Sequence, residues 1–175
     1  MSEATDLDSD LFELAMSDKA QPLMDAVKKH IAENVEPITE EFYALEEQKT
    51  DRWSWHPRQL ELLEGAKNKA KESGLWNFFL PDSDTGEGLS NLDYAYIATE
   101  LGKVPLASET LNCSAPDTGN MEVLERVGTP EQKEKWLKPL LNGEIRSAYA
   151  MTEPGLPSSD AKNISTSAVL DGDEW

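Results

Sequence analysis

The segment best equipped for chemistry runs Tyr149-Ala150-Met151-Thr152-Glu153-Pro154-Gly155-Leu156-Pro157-Ser158-Ser159-Asp160. It reads as a strand entering a hydroxyl-rich loop whose path is fixed by Pro and Gly. Backbone N–H groups and the hydroxyls of Thr152, Ser158 and Ser159 can converge there on one space. That suits the polar edge of a flat, hydrogen-bonding cofactor, or an anion. An ordinary Ser/Pro surface loop is the default reading of the same residues. The acidic runs DLDSD (6–10) and DSDTGEG (82–88) lack the glycine and glutamate that a calcium loop needs, and read as solvated loops. Neither phosphate-cradling glycine motif, G-x-x-x-x-G-K-[ST] or G-x-G-x-x-G, occurs. His30 and His56 have no partner at metal-ligand spacing and read as surface or capping residues. Cys113 has no paired His and reads as a small buried residue. No metal site and no catalytic group follow from these motifs.

The elements that must position the loop are helical. Leu23, Val27, Ile31 and Val35 recur every four residues and predict a helix from Gln21–Pro22 that stops or kinks at Pro37. Ile38, Phe42 and Leu45 resume the stripe. A second helix is predicted from Pro57 to just before Gly74, with Leu60, Leu63, Ala66 and Ala70 inward. Residues 91–101 read as a helix apolar all round, hence central and buried. Met121, Val123, Leu124 and Val127 mark another, closed by Gly128. Thr129-Pro130-Glu131-Gln132 is a capping box opening a helix to about Lys138, before Pro139. Five or six helices are expected before residue 144.

After Gly143 the pattern changes. Residues 145–152 and 165–170 are short, small and β-branched, and Asp171-Gly172 is a hairpin-turn signal. The expectation is a chain that stops inside a hairpin and is a fragment of a longer one. The start, MSEATDLDSD, is expected to be a solvated tail.

The 34 acidic and 16 basic residues give a net charge of -18, half of it within the first 50 residues. That excludes nucleic acid as a partner, which needs a basic face, and docking on anionic lipid. No apolar run is long enough for membrane insertion. The first 20 residues carry six acids and one Lys, against an Arg-rich transit peptide or a basic-start signal peptide. A single Cys fits a reducing, cytoplasmic setting.

Tyr-x-Met-Thr-Glu-Pro followed by Ser-Ser-Asp resembles the flavin-contacting signature of the acyl-CoA dehydrogenase family. Four further stretches resemble its 10/11-like branch: GLWNFFLP (74–81), LSNLDYA (89–95), NCSAPDTGNMEVL (112–124) and VGTPEQKEKWLKPLLNGEIRS (127–147), followed by MTEPGLPSSDAKNI (151–164). The order is kept over roughly residues 20–175. Gly155-Leu156-Pro157 departs from the branch pattern, which has an apolar residue and Ala in place of Leu-Pro. Pro157 would stiffen the loop and remove a backbone donor.

The resemblance implies a mainly α chain: an acidic tail over 1–20, the family's N-terminal helical domain over 21–144, and the truncated start of its middle β-domain over 145–175. It implies an FAD-dependent oxidoreductase that removes hydrogen from Cα and Cβ of acyl-CoA thioesters, as in fatty-acid metabolism, with an electron-transfer acceptor protein and a homo-oligomeric parent. It implies cofactor contacts for Tyr149, Met151, Thr152, Ser158 and Ser159, and substrate contacts for Ser159, Asn120 and Met121. Plain core packing is an equal reading of Met121. Glu153 matches a residue that shapes the loop. The family's catalytic carboxylate lies in its C-terminal domain, so no residue here takes that role and the chain alone is expected to be inactive. The other reading is a truncated helical interaction domain without catalysis.

Overall fold

The structure, a computed structural model, describes residues 14–82 and 84–174. Among the described residues, eight α-helical segments precede residue 144: α1 Gln21–His30, α2 Glu36–Ala44, α3 Pro57–Glu72, α4 Asn91–Leu101, α5 Ala107–Thr110, α6 Asp117–Val127, α7 Pro130–Gln132 and α8 Lys138–Asn142. A wide π turn over Ile31–Val35 joins α1 to α2, and another over Lys133–Leu137 joins α7 to α8. Each joined pair runs as one rod, so the eight segments form six rods: five correspond to helices read from the sequence, and the short α5 is an addition.

The two π turns share a cause. Proline has no N–H, and its ring clashes with the carbonyl four residues back. Glu36 donates to Ile31 O, and Lys138 donates to Lys133 O, five residues back in each case. Pro37 and Pro139 follow directly. The extra residue in the turn moves the obstructing carbonyl aside, so both helices continue. The stop expected at Lys138 is therefore absent, and α8 runs through Pro139 to Asn142.

The caps follow the sequence more closely. His56 Nδ1 accepts from the Arg58 amide at 3.1 Å, and Gln59 Oε1 accepts from the His56 amide at 3.1 Å. Ser90 with Asp93, and Thr129 with Gln132, make the same reciprocal box. On α3, Leu63, Ala66 and Ala70 are buried as expected, whereas Leu60 is exposed. Its neighbour Gln59 is fully buried, because its amide donates to Phe42 O and Glu46 Oε1, both at 2.9 Å. Helix α4 is not the all-round buried rod expected. It buries Asp93, Ile97 and Leu101, while Ala95 and Tyr96 face out. Tyr96 keeps its ring on the surface by donating its hydroxyl to Leu14 O. The Asp93 carboxylate turns inward to accept from Ser90 and from the Ser17 amide.

His30 is buried, not superficial. The Thr110 hydroxyl donates to Ala107 O at 2.8 Å, which leaves its oxygen to accept from His30 Nε2 at 3.2 Å. Asn34 Nδ2 lies 3.4 Å from His30 Nδ1. The pair of contacts fits a neutral ring with its proton on Nε2. Burial lowers its pKa below the ordinary histidine value.

Phe78, Leu80, Ile97, Leu111 and Met121 are the largest apolar side chains fully enclosed in the core. Beside them Asn77 and Asn112 both adopt left-handed backbone, at φ 59° and 57°. Asn112 Nδ2 donates to Asn77 Oδ1 at 2.6 Å and to Leu140 O at 3.0 Å, and Asn77 Nδ2 donates to Leu141 O at 2.8 Å. These side chains bond to carbonyls at the end of α8: Leu141 O, and Leu140 O, which also accepts from the Gly143 amide at 3.0 Å.

Beyond residue 144 the described residues contain no strand. The strands expected over 145–152 and 165–170 are extended but unpaired, because no partner strand lies among the described residues to complete their hydrogen bonds. The Asp171-Gly172 turn does form: Asp171 and Glu174 exchange two backbone hydrogen bonds around Gly172, at φ 65°. Of the acidic tail expected over 1–20, residues 1–13 lie outside the described residues. Residues 17–20 belong to the folded body: the Ser17 amide binds Asp93, Lys19 donates to Glu87 O, and Ala20 is fully buried.

Two outcomes are expected. Asn112→Ala loses both amide hydrogen bonds and strains the left-handed backbone, and should lower urea-derived stability by about 2 kcal/mol. Asn112→Gly, free of that strain, should lose less. For His30, the unfolded state takes up a proton below about pH 6.5 while the buried ring resists. Stability should therefore hold above that pH and fall as pH drops from 6.5 towards 5, and His30→Gln should flatten that decline.

Candidate functional site

The loop begins where the chain leaves α8. Arg146 Nε donates to the Asp117 carboxylate, and the Ser147 amide and hydroxyl donate to Asp117 Oδ1 at 2.7 and 2.5 Å. One turn further along α6, Asn120 Nδ2 donates to Ser147 Oγ at 2.8 Å and lies 3.4 Å from Ala148 O. Residues 146–148 are thus laid along the start of α6. Burial pushes the Asp117 carboxyl up, but its bonds from Ser147 and Arg146 outweigh this and leave it below the ordinary aspartate value.

From Tyr149 onward the chain is open. Tyr149 is exposed and Met151 half-buried. Among the described residues, the amides of 149–152 have no partner. Glu153 then closes the loop. Its carboxylate accepts from the amides of Ser165 at 3.1 Å and Thr166 at 2.7 Å, and from both their hydroxyls. The Thr166 hydroxyl and the two amides hold its pKa down, to about 2. Gly155, at φ 76°, makes a left-handed bend that residues with a Cβ make only with strain, asparagine least. Ser158 is buried: its hydroxyl accepts from the Glu153 amide at 2.7 Å and lies 3.3 Å from Leu156 O. Thr152 and Ser159 are exposed, and their hydroxyls have no hydrogen-bond partner among the described residues.

The sequence-predicted residues therefore fall into three groups. Tyr149, Met151, Thr152 and Ser159 lie on the open stretch of one loop. Ser158 shares that loop, with its hydroxyl engaged in the loop's own framework. Asn120 reaches the loop's beginning, whereas its neighbour Met121 is fully buried in the core. Asn120 also lines a cleft of about 380 Å³ with Val123, Leu124, Trp136, Ile145 and Arg146. Sequence reasoning missed Asp117, Arg146 and Ser147. The Pro116-Asp117 step, which starts α6, was the available signal.

Other groups are inert. Burial raises the Cys113 thiol to about 12, so it stays protonated and unreactive at neutral pH. Among the described residues no three His, Cys, Asp or Glu side chains gather as a metal site, and no helix is long and apolar enough to cross a membrane.

Comparison with known proteins bears on the whole arrangement. Residues 17–144 match the family model of the acyl-CoA dehydrogenase N-terminal domain. The chain is 46% identical over 171 residues to acyl-CoA dehydrogenase family member 10 of Mus musculus, which covers 87% of this chain and 16% of the mouse protein. It is 48% identical over 149 residues to family member 11 of Homo sapiens, covering 85% of this chain and 18% of the human protein. A solved Mycobacterium abscessus structure assigned to the acyl-CoA dehydrogenases superposes with a TM-score of 0.80 at 45% identity, over 91% of this chain and 40% of that one. The chain thus spans under half of each of these relatives. Its helical body, its capping boxes and the matched residues 17–144 lead to one conclusion: the chain belongs to the acyl-CoA dehydrogenase family.

Proposed function

We propose that this chain supplies the helical domain, residues 21–144, and the first flavin-contacting loop of an FAD-dependent acyl-CoA dehydrogenase. The whole protein would remove hydrogen from Cα and Cβ of an acyl-CoA thioester, in fatty-acid oxidation, and pass electrons to an acceptor protein. The observation that carries this reading is the open stretch 149–152 together with Ser159. It offers unpartnered amides and two unpartnered hydroxyls on a loop held rigid by Glu153 and Ser158. A flat ring system edged with carbonyl oxygens and ring nitrogens accepts from such donors, so the residues present fit a flavin.

Bound FAD would supply the two-electron acceptor. The chain's own residues bind and orient. The amides of 149–152 and the Thr152 hydroxyl would hold the ring edge, with Tyr149 and Met151 packing beside it. Ser159 would reach the phosphates and the CoA moiety. Ser158 supports this surface from within the loop and keeps lone-pair capacity toward the cofactor. Asn120 lies where the loop starts, on the side assigned to the acyl chain.

No acid here is assigned as catalytic base. A base must be free and must have a pKa near the working pH. Glu153 accepts four hydrogen bonds at a pKa of about 2. Glu109 is tied to Lys67 and Arg146, and Glu100 to Lys103. The middle β-domain would begin within residues 145–175. A homo-oligomer and a cytoplasmic setting are proposed with the family reading.

The test is anaerobic spectroscopy on the whole protein that carries these residues. Bound flavin should bleach on addition of acyl-CoA, and Thr152→Ala and Ser159→Ala should each weaken FAD binding by about fivefold. The 175-residue chain alone should hold FAD weakly and show no bleaching. Absence of flavin from the whole protein would favour a helical interaction domain, and bleaching by the chain alone would show that it contains a base.

A further inference from the structure

Among the described residues, every hydrogen bond and ion pair between segment 145–174 and the helical body passes through Arg146, Ser147 and Ala148. On the helical side those bonds end on Glu109, Asp117 and Asn120. Asp117 takes the largest share. Its side chain is 3% exposed, and it binds a guanidinium, an amide and a hydroxyl at once.

We propose that Asp117 is a positioning residue for the flavin loop, acting through Arg146 and Ser147. The proposal rests on the reading of residues 149–159 as that loop, and deepens it by naming what aims the loop.

Three physical features carry it. First, Asp117 opens α6, where unpaired amides and the helix dipole favour a carboxylate, so its place is set by the helix. Second, Arg146 is gripped from two directions: Nε meets Asp117 and Nη1 meets Glu109 at 2.7 Å. Glu109 in turn meets Lys67 at 3.0 Å, and Lys67 meets Glu64 at 3.3 Å. The charges alternate from α3 through α5 to α6. The planar guanidinium between two carboxylates has one orientation, which a flexible ammonium would not have. Third, an ion pair of this kind adds little net stability over apolar packing, but it fixes direction. Direction is what the next four residues lack, because their amides bind nothing in the helical body. The angle at which Tyr149 leaves Ala148 is therefore set at Asp117.

Hydrogen exchange on the 175-residue chain tests the aiming without any flavin. Asp117→Asn keeps the shape but loses the charge, and should speed exchange of the Ser147 amide by about tenfold. Backbone NMR order parameters of 148–152, whose amides carry no protecting bond among the described residues, should fall as well, while the amides of Leu80, Ile97 and Leu111 exchange as before. Arg146→Met and Ser147→Ala, both outside the helices and their core, should have the same two effects. Arg146→Lys should restore only part of the protection. On the whole protein, Asp117→Asn should weaken FAD binding and shift the visible flavin band, and its urea midpoint should fall no further than that of Glu109→Gln. If all three variants leave the Ser147 amide and the order parameters of 148–152 unchanged, or change every amide in parallel, the proposal is overturned. If exchange responds but the wild-type protein carries no flavin, the flavin reading fails and the assignment of Asp117 to aiming a flavin loop falls with it.

Discussion

Asn77 and Asn112, two left-handed asparagines hydrogen-bonded to each other, hold together the three segments on which the rest of the molecule is built. An L-residue in that backbone region costs about 1–2 kcal/mol, least for asparagine, whose short amide can bond locally. Here the amides bond across the core. They join the connection after α3, the end of α5 and the final carbonyls of α8, with the Trp76 indole adding a bond to Leu141 O at 2.7 Å. Phe78, Leu80 and Leu111, close to the pair in sequence, are fully buried. Because the pair fixes the end of α8, it also fixes the place from which Gly143 and Glu144 hand the chain on to Arg146. The open loop is therefore aimed from two points, the asparagine pair and the first turn of α6.

The large negative charge is less diffuse than the composition suggests. Several carboxylates are internal acceptors for backbone amides: Asp51 for Trp53 and Ser54, Asp93 for Ser17, Asp117 for Ser147, Glu153 for Ser165 and Thr166. Each is held below its ordinary pKa, as expected where hydrogen bonds favour the ionised form. These acids take the part that strand partners play elsewhere, satisfying backbone donors in turns and connections. Folded depressed pKa values give stability that is present above the unfolded carboxylate range and lost as pH falls through it.

Most helices were legible because their signals are local. The Pro57 start, the Thr129 capping box and the stops at Gly74 and Gly128 depend on neighbours within a turn or two. What was not legible depends on partners far along the chain. His30 is buried because Thr110 meets it, and Leu60 is displaced because Gln59 is drawn to Phe42 O. At the site, the Tyr-x-Met-Thr-Glu-Pro pattern marked the loop, and the role of Glu153 as its shaper agrees with its four bonds. Asp117, which holds the loop's beginning, is separated from Ser147 by 30 residues, and no periodicity spans that gap. The strands expected after Gly143 have the right residue types, but strand formation needs a neighbour as well as a composition.

The π turn ahead of Pro37 has a further consequence for phase. A stripe repeated strictly every four residues slips by about 40° per step around a regular α-helix. Leu23, Val27, Ile31 and Val35 would by their third step have walked off the core. Spreading one turn over an additional residue unwinds that slip, which is how Val27, Ile31, Val35 and Phe42 all remain buried. The proline is thus less a breaker than the mark of a vernier. Deleting one residue from 31–35 would therefore leave Val35 and Phe42 near their present phase, but it would close the turn and set the proline ring back against a carbonyl, so the rod would kink there.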